Sequence, residues 1–500
     1  MINHGHFEYI LDDAYIHLSM ARNLATSGTY GVVAGSYESA SSSPAWTVLL
    51  ALGGSLWPLS LAAMPLVFNI LASAMLLWVF WGGQDLVRPA RRLSIPALAL
   101  AALLPLFLLL PSLTLTGMEA IVHALFALVI LRSLLVVVAG DADRRGVIVF
   151  LALVAVSVLV RLEDMFLALG CGLAIVLFGR GRLALVVDRL KLATAVGVAA
   201  ATPAAAIALV NLGFGQSWLP NSVISKSALF DRAGLPLVPL DVIVYRLQGD
   251  PLLCVLLAVS FAYVVRCAVF DRSARTFPAA LAFAVTAVLH LALATLGWYD
   301  RYQEYLVVMG VWLLFRYAVE LAPDRRRVLA AAAVLALLLV SSPRKAILTI
   351  FTATASNNIY LQQHEMGVFL ARYYDGKGAV INDLGEVSYQ HHGPLLDMFG
   401  LGSYQVLKAR RGHQFDASFV DSRTRAIGAP VAVIYSEYWK PQIPAGWKLV
   451  GSWTVLHAPG NLGGAKVDFW ATSTGSADEL RNHLAEYRRE LPDGVKAEVY

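Results

Sequence analysis

Polar and apolar positions are interleaved up to about residue 63, apolar windows dominate residues 64–343, and short mixed runs return over 344–500. A window of about 20 apolar residues crosses a hydrocarbon core of about 30 Å as a helix, the only open-ended element that satisfies its own backbone there. Such windows predict about ten spans, near residues 64–82, 93–111, 119–139, 146–161, 164–179, 190–211, 251–270, 277–297, 304–320 and 328–342. Ahead of them, Ile16, Met20 and Leu24 recur every four positions and predict a short amphipathic helix starting at Ala14. Behind them, AVIN from Ala379, VAVIY from Val431, KLVGSWTV from Lys448 and KVDFWA from Lys466 read as strands. SADELRNHLAEYRREL from Ser476 reads as a helix, with a Ser-x-x-Glu capping box and Leu480, Leu484, Tyr487 and Leu491 on one face. The pattern thus predicts a polytopic α-helical membrane protein with a C-terminal soluble α/β domain, divided at about residues 63 and 343.

Composition agrees. The chain is 58% hydrophobic and 15% charged, with a mean hydropathy of +0.64, outside the range of ordinary soluble domains. A net charge of +5 would suit a nucleic-acid partner, but the basic residues gather in alternate linkers between spans. One set holds Arg88, Arg91 and Arg92, then Arg144 and Arg145, then Arg180, Arg182, Arg189 and Lys191, then Arg266, Arg272 and Arg275, and last Arg325, Arg326 and Arg327. The positive-inside bias puts that set in the cytoplasm, so the charge reports topology and no nucleic-acid partner is expected. Residues 1–44, the loop 213–250 and everything beyond about 342 then face outward. Cys171, Cys254 and Cys267 fall in or beside apolar spans and predict neither a disulfide nor a zinc site. The opening residues lack a basic start followed by an apolar core, so no signal peptide is read. An outward start then implies either a first span upstream of this reading frame or a short acidic tail that crosses alone.

The candidate chemistry collects on the outer side. In EYILDDAYIHLSMARN the adjacent Asp12 and Asp13 either cap the helix behind them or react. Neighbouring carboxylates raise one another's proton affinity, which suits a general base, and they can share a divalent cation. Glu119 opens the third window. Arg161, Glu163 and Asp164 interrupt a long apolar stretch, as the tip of a hairpin of two short spans. Asn221 and Lys226 stand in WLPNSVISKSAL, and Tyr299, Asp300, Arg301 and Glu304 in WYDRYQEY. Each has a plainer reading, as a headgroup contact, a salt-bridged turn, a solvated lysine or an aromatic belt. Together, Arg161, Lys226 and Arg301 face the same side as the acids and could hold a phosphate. His4, His6, His391 and His392 are weak metal candidates without an assignment.

DDAYIHLSMARNLATSGTYG followed by SSSPAWTVLLAL resembles the first outer loop of bacterial GT-C glycosyltransferases. The likeness is nearest to the mycobacterial cell-wall arabinofuranosyltransferases and their pilin- and glycan-modifying relatives. It continues in order through TGMEAIVHALFAL, VRLEDMFLAL, PNSVISKSAL, WYDRYQEYLVV and NDLGEVSYQHHGPLLDMFGL. The chain departs from the family in His17, where Ser or Thr is common, and in LEDMF, in place of a Pro-Asp-Gly-like turn. The resemblance implies a multi-pass enzyme of the bacterial inner membrane whose active site and C-terminal domain face the periplasm. It implies inverting transfer of a sugar, arabinofuranose among the options, from a polyprenyl-phosphate donor to a periplasmic glycan, lipid or protein acceptor. Carried over by position, Asp12 or Asp13 would be the base and Lys226, Arg161 and Arg301 candidates for the donor phosphate; Glu119, Glu163, Asn221, Tyr299 and Tyr15 are further site candidates. No cofactor is expected with certainty, although a divalent cation is compatible with the acids. The rival function is a transporter or flippase of a lipid-linked glycan. Transporters, however, keep ionisable groups near the bilayer midplane in repeated halves, and no repeat is visible here.

Overall fold

A helix stands at each of the ten places where an apolar window predicts one. The computed structural model describes residues 3, 5–57, 59–82, 94–226, 244, 247–321, 326–457 and 460–500. His4, Arg88, Arg91, Arg92 and Arg325 lie outside the described residues, as does the side chain of Lys226. Helices Leu61–Trp81, Ile95–Leu115, Ala120–Ala139, Val186–Gly213 and Pro251–Phe270 are each long and apolar enough to cross a membrane. The others, Arg144–Val160, Asp164–Phe178, Phe277–Leu293, Glu304–Leu321 and Arg327–Ser341, are shorter or more polar. Glu304–Leu321 is buried without a break from Glu304 to Phe315 and packs against Ala120–Ala139 and Pro251–Phe270 at the centre of the bundle. Around it, large apolar side chains such as Leu71, Trp78, Leu209, Phe261 and Phe270 point outward, which suits a lipid-facing surface.

Two short helices lie at the end of the bundle where the aspartates are. Asp13–Ser27 begins one residue earlier than the periodicity predicts and stops at Gly28, whose φ of +66° continues no right-handed turn. Pro44–Leu56 is capped by the Ser43 hydroxyl, which accepts from Trp46 N. Arg327–Ser341 is followed, across a 58° bend, by a long helical run over Pro343–Tyr374. That run contains one π turn at Tyr360–His364.

The run leads into a six-stranded sheet: β1 Ala379–Ile381, β2 Leu395–Asp397, β3 Val431–Ile434, β4 Lys448–Val455, β5 Lys466–Ala471 and β6 Val495–Val499. The order is β2-β1-β3-β5-β4-β6, with β1 parallel to β2 and β3 and the remaining pairs antiparallel. Alternation along the strands supplies two apolar faces. Ile381, Val433, Phe469 and Trp453 cluster with Phe369 and Leu480, whereas Val380, Ala432 and Ile434 cluster with Val406, Val420 and Trp439. Ile16 and Met20 belong to the first cluster, so the outer helix near the start of the chain is docked on the core of the C-terminal domain. The capping box predicted at Ser476 is displaced. Its hydroxyl closes a 3-10 turn against Ser473, and the helix Ala477–Tyr487 starts without a side-chain cap, still burying Leu480, Leu484 and Tyr487. Cys171, Cys254 and Cys267 are all free thiols.

Candidate active site

The segment before the aspartates is pinned on two sides. Ile10 N donates to Leu115 O at 3.0 Å, and Tyr9, Ile10 and Leu11 are buried. Gly117, at φ +68°, lets the chain pass beneath them, since a Cβ there would sit 2.8 Å from that of Ala14. Asp12 occupies the N-cap position of Asp13–Ser27 with αR geometry, and it makes no cap bond to its own helix. Its carboxylate turns instead to the C-terminal domain, accepting from Gly385 N at 2.7 Å and Glu386 N at 2.8 Å, the first residues of helix Gly385–Gln390. Only glycine permits this approach, because a Cβ on Gly385 would fall 1.9 Å from Asp12 O. Gly385→Ala is therefore expected to lower the melting temperature, at a cost of about 1–3 kcal/mol from overpacking. A melting temperature equal to wild type in detergent would show that the two parts are not held here.

Surrounding protein, first, and the nearby Asp383 carboxylate, second, push the Asp12 carboxyl well above the usual range, against the two backbone N–H bonds that pull it down. Asp383 is raised as well, chiefly by burial. Its carboxylate accepts from Gln363 Nε2 at 2.9 Å and from the Tyr435 hydroxyl. Asp12 is part-exposed, and two accepted bonds leave lone pairs on its oxygens for a substrate proton.

Asp13 is placed differently: it pairs with Arg301 Nη2. Arg301 follows Trp298, Tyr299 and Asp300, three consecutive residues with φ of +47°, +60° and +57°. Left-handed geometry at non-glycine positions costs about 1–3 kcal/mol each and persists only where surroundings enforce it. Here the enforcing contacts are ionic. Asp300 meets Arg344 Nη2 at 2.8 Å and Lys345 Nζ at 3.2 Å, and Lys345 also meets Glu304 at 2.5 Å. The result is an arginine only 4% exposed. Its Nη2 also reaches the Tyr302 hydroxyl at 2.7 Å, while its Nε and Nη1 have no hydrogen-bond partner among the described residues.

A second basic candidate, Arg161, is occupied. Arg161 gives Nη1 to Glu119 at 2.7 Å, Nη2 to Glu163 at 2.5 Å and Nε to Glu163 at 3.2 Å, closing the hairpin tip that the sequence anticipates. His123 and Asp164 pair beside it at 3.0 Å. The Tyr302 ring faces both guanidiniums, with centroids 4.8 Å from Arg301 and 5.4 Å from Arg161. Asn221 ties its loop to the C-terminal domain, donating to Leu401 O at 3.2 Å and to Glu38 at 3.3 Å. Tyr299 donates to Phe351 O at 3.4 Å and packs against the buried cluster of Tyr9, Ile10 and Leu11. Tyr15 is buried and donates to Glu8. Lys226 ends the short helix Asn221–Lys226.

Asp383, Gly385, Glu386 and His364 do not stand out as ionisable groups at span ends, because they sit in the domain. The signal for the first three is the stretch NDLGEVSYQ, which carries part of the family resemblance; His364 lies outside it. His391 and His392 are not in this group: His391 Nε2 donates to Lys377 O, 2.9 Å away, and His392 contacts Asp375 at the surface.

Residues 357–472 match a family described as a domain of unknown function, DUF8728. No curated protein matches the chain. Among solved structures, ArnT from Cupriavidus metallidurans bound to undecaprenyl phosphate superposes with a TM-score of 0.53 at 14% identity, covering 93% of this chain and 94% of that one. The apo oligosaccharyltransferase of Archaeoglobus fulgidus gives a TM-score of 0.48 at 12% identity over 93% of this chain and 71% of that one. The superposition on ArnT runs through the helical bundle and the sheet alike, so the chain has the fold of the GT-C membrane enzymes, a multi-pass α-helical part followed by a C-terminal α/β domain.

Proposed function

We propose that the protein is a membrane glycosyltransferase that moves a sugar from a polyprenyl-phosphate donor to an acceptor hydroxyl on the periplasmic side of a bacterial inner membrane. The observation that carries this reading is Arg301, a buried guanidinium beside the aspartate pair with two nitrogens that have no hydrogen-bond partner among the described residues. Unmet buried donors are costly, and charge-assisted bonds from these nitrogens to phosphate oxygens would satisfy them. Asp13 orients the guanidinium. Asp12, with raised proton affinity and no cationic partner among its hydrogen bonds, is the base.

In the transfer step Asp12 accepts the proton of the acceptor hydroxyl as that oxygen bonds to the anomeric carbon. The bond from this carbon to the phosphate oxygen breaks, and the electron pair leaves on the polyprenyl phosphate, whose charge Arg301 receives. Attack from the face opposite the phosphate inverts the anomeric centre. Arg161, held by Glu119 and Glu163, acts through Tyr302 to position the site rather than touching phosphate. Arabinofuranose is the sugar favoured by the resemblance of the first outer loop, and a periplasmic glycan, lipid or protein is the acceptor class.

The direct test is transfer by the purified protein in nanodiscs from a panel of polyprenyl-phosphate sugars that includes the arabinofuranosyl donor, with an alcohol acceptor. Turnover of one donor with release of polyprenyl phosphate supports the reading, and none across the panel sinks it. The pH profile adds a second check. Transfer needs ionised Asp12, so the rate rises as pH passes the Asp12 pKa. Removing the Asp383 charge lowers that pKa, and the acid limb of Asp383→Asn is expected at lower pH than that of wild type. An unmoved limb would assign the limb to another group.

A further inference from the structure

Four residues before Asp12, Glu8 belongs to a second cluster that the transfer reading does not use. Glu8 Oε1 is 3.0 Å from His364 Nδ1, and Glu386 Oε1 is 3.4 Å from the same nitrogen. One ligand atom from each residue falls within 4.8 Å of the other two. Two ligands at about 2.0–2.1 Å from a tetrahedral ion stand about 3.3 Å apart, so the two spacings to His364 are compatible with a coordination shell. Glu8 and Glu386 are 5% and 2% exposed, and Glu386 Oε2 has no hydrogen-bond partner among the described residues. Outer contacts hold the ligands in place: Tyr15 donates to Glu8 Oε2, and Gln390 Nε2 donates to Glu386 Oε1 at 2.6 Å. His364 closes the single π turn of its helix, a distortion frequent at functional sites. The His6 ring lies 5.4 Å from that of His364, close enough for its segment to supply a fourth ligand.

We infer that Glu8, His364 and Glu386 form a binding site for a divalent cation of the zinc class. One nitrogen and two carboxylate ligands suit Zn2+, whereas Mg2+ and Ca2+ require six or more oxygens. The ion would staple the segment ahead of Asp12 to the helix that begins at Gly385, with Glu8 on one side and His364 and Glu386 on the other. The inference does not depend on sugar transfer, and its test does not read transfer, so the two fail separately.

The full-length protein in detergent is stripped with EDTA, re-equilibrated with zinc chloride and passed through a desalting column. About one Zn2+ per chain is expected to remain, with a rise in melting temperature. Glu386→Gln and Glu8→Gln should each weaken zinc binding by about 10-fold or more, while His392→Ala, at the exposed surface, should bind as wild type does. X-ray absorption at the zinc edge of the loaded wild type should report mixed imidazole and oxygen ligation, a readout that stands even where a variant fails to fold. Wild type that retains no zinc, an oxygen-only shell, or Glu386→Gln with unchanged affinity would each overturn the site and leave a protonated His364 bridging the two carboxylates.

Discussion

Asp12→Asn is expected to reduce sugar transfer by about 10² to 10⁴ while leaving donor binding near wild type, because a positioned base contributes about that much. The substitution keeps one oxygen to accept from Gly385 or Glu386 and removes the group that receives the acceptor proton. Its effect should therefore fall on kcat, with KM for the donor little changed. Asp13→Asn is the informative contrast. Asp13 is engaged by Arg301, so its loss should appear in donor KM and only modestly in kcat. Because Asp12 also joins the two parts of the protein, a melting curve must accompany the kinetics. A folded Asp12→Asn that turns over at the wild-type rate would remove Asp12 from the chemistry. A collapse in Asp13→Asn instead would transfer the role of base to its neighbour.

The second large effect belongs to Arg301. Truncating one partner of a buried, hydrogen-bonded charge pair costs about 2–5 kcal/mol, so Arg301→Ala should weaken polyprenyl-phosphate binding by about 30-fold or more. Arg301→Lys keeps the charge but loses the fork, and should restore part of the affinity. Binding of undecaprenyl phosphate, measured without any sugar, isolates this contribution from the chemical step. Equal affinity in wild type and Arg301→Ala would move the phosphate elsewhere, and the side chain of Lys226 would become the first place to look.

The membrane part was legible in the sequence because hydropathy reports the same quantity that lipid imposes, and each predicted window carries a helix. In the domain, VAVI, KLVGSWTV and KVDFWA were readable as strands because they are rich in β-branched and aromatic residues. Two strands were not. Leu395–Asp397 is only three residues long and follows Gly393 and Pro394, and Val495–Val499 is an edge strand with Lys496 and Glu498 along it. The acids and arginines of the site stood out because ionisable groups beside apolar windows are rare. Their division of labour did not. Whether Asp12 caps its own helix or another cannot be read from spacing when the receiving N–H groups belong to Gly385 and Glu386, far along the chain. The same distance hid the meeting of Glu8 with His364 and Glu386.

The hold of Gly385 on Asp12 also orders events in the life of each molecule. A ribosome releases Asp12 before the described membrane helices and Gly385 only after them, so a chain interrupted before the sheet forms carries an aspartate that is neither held nor tuned by Asp383. On the transfer reading, such a fragment sits in the membrane without consuming lipid-linked sugar, and activity begins only once the segment that carries Gly385 has been made and has docked.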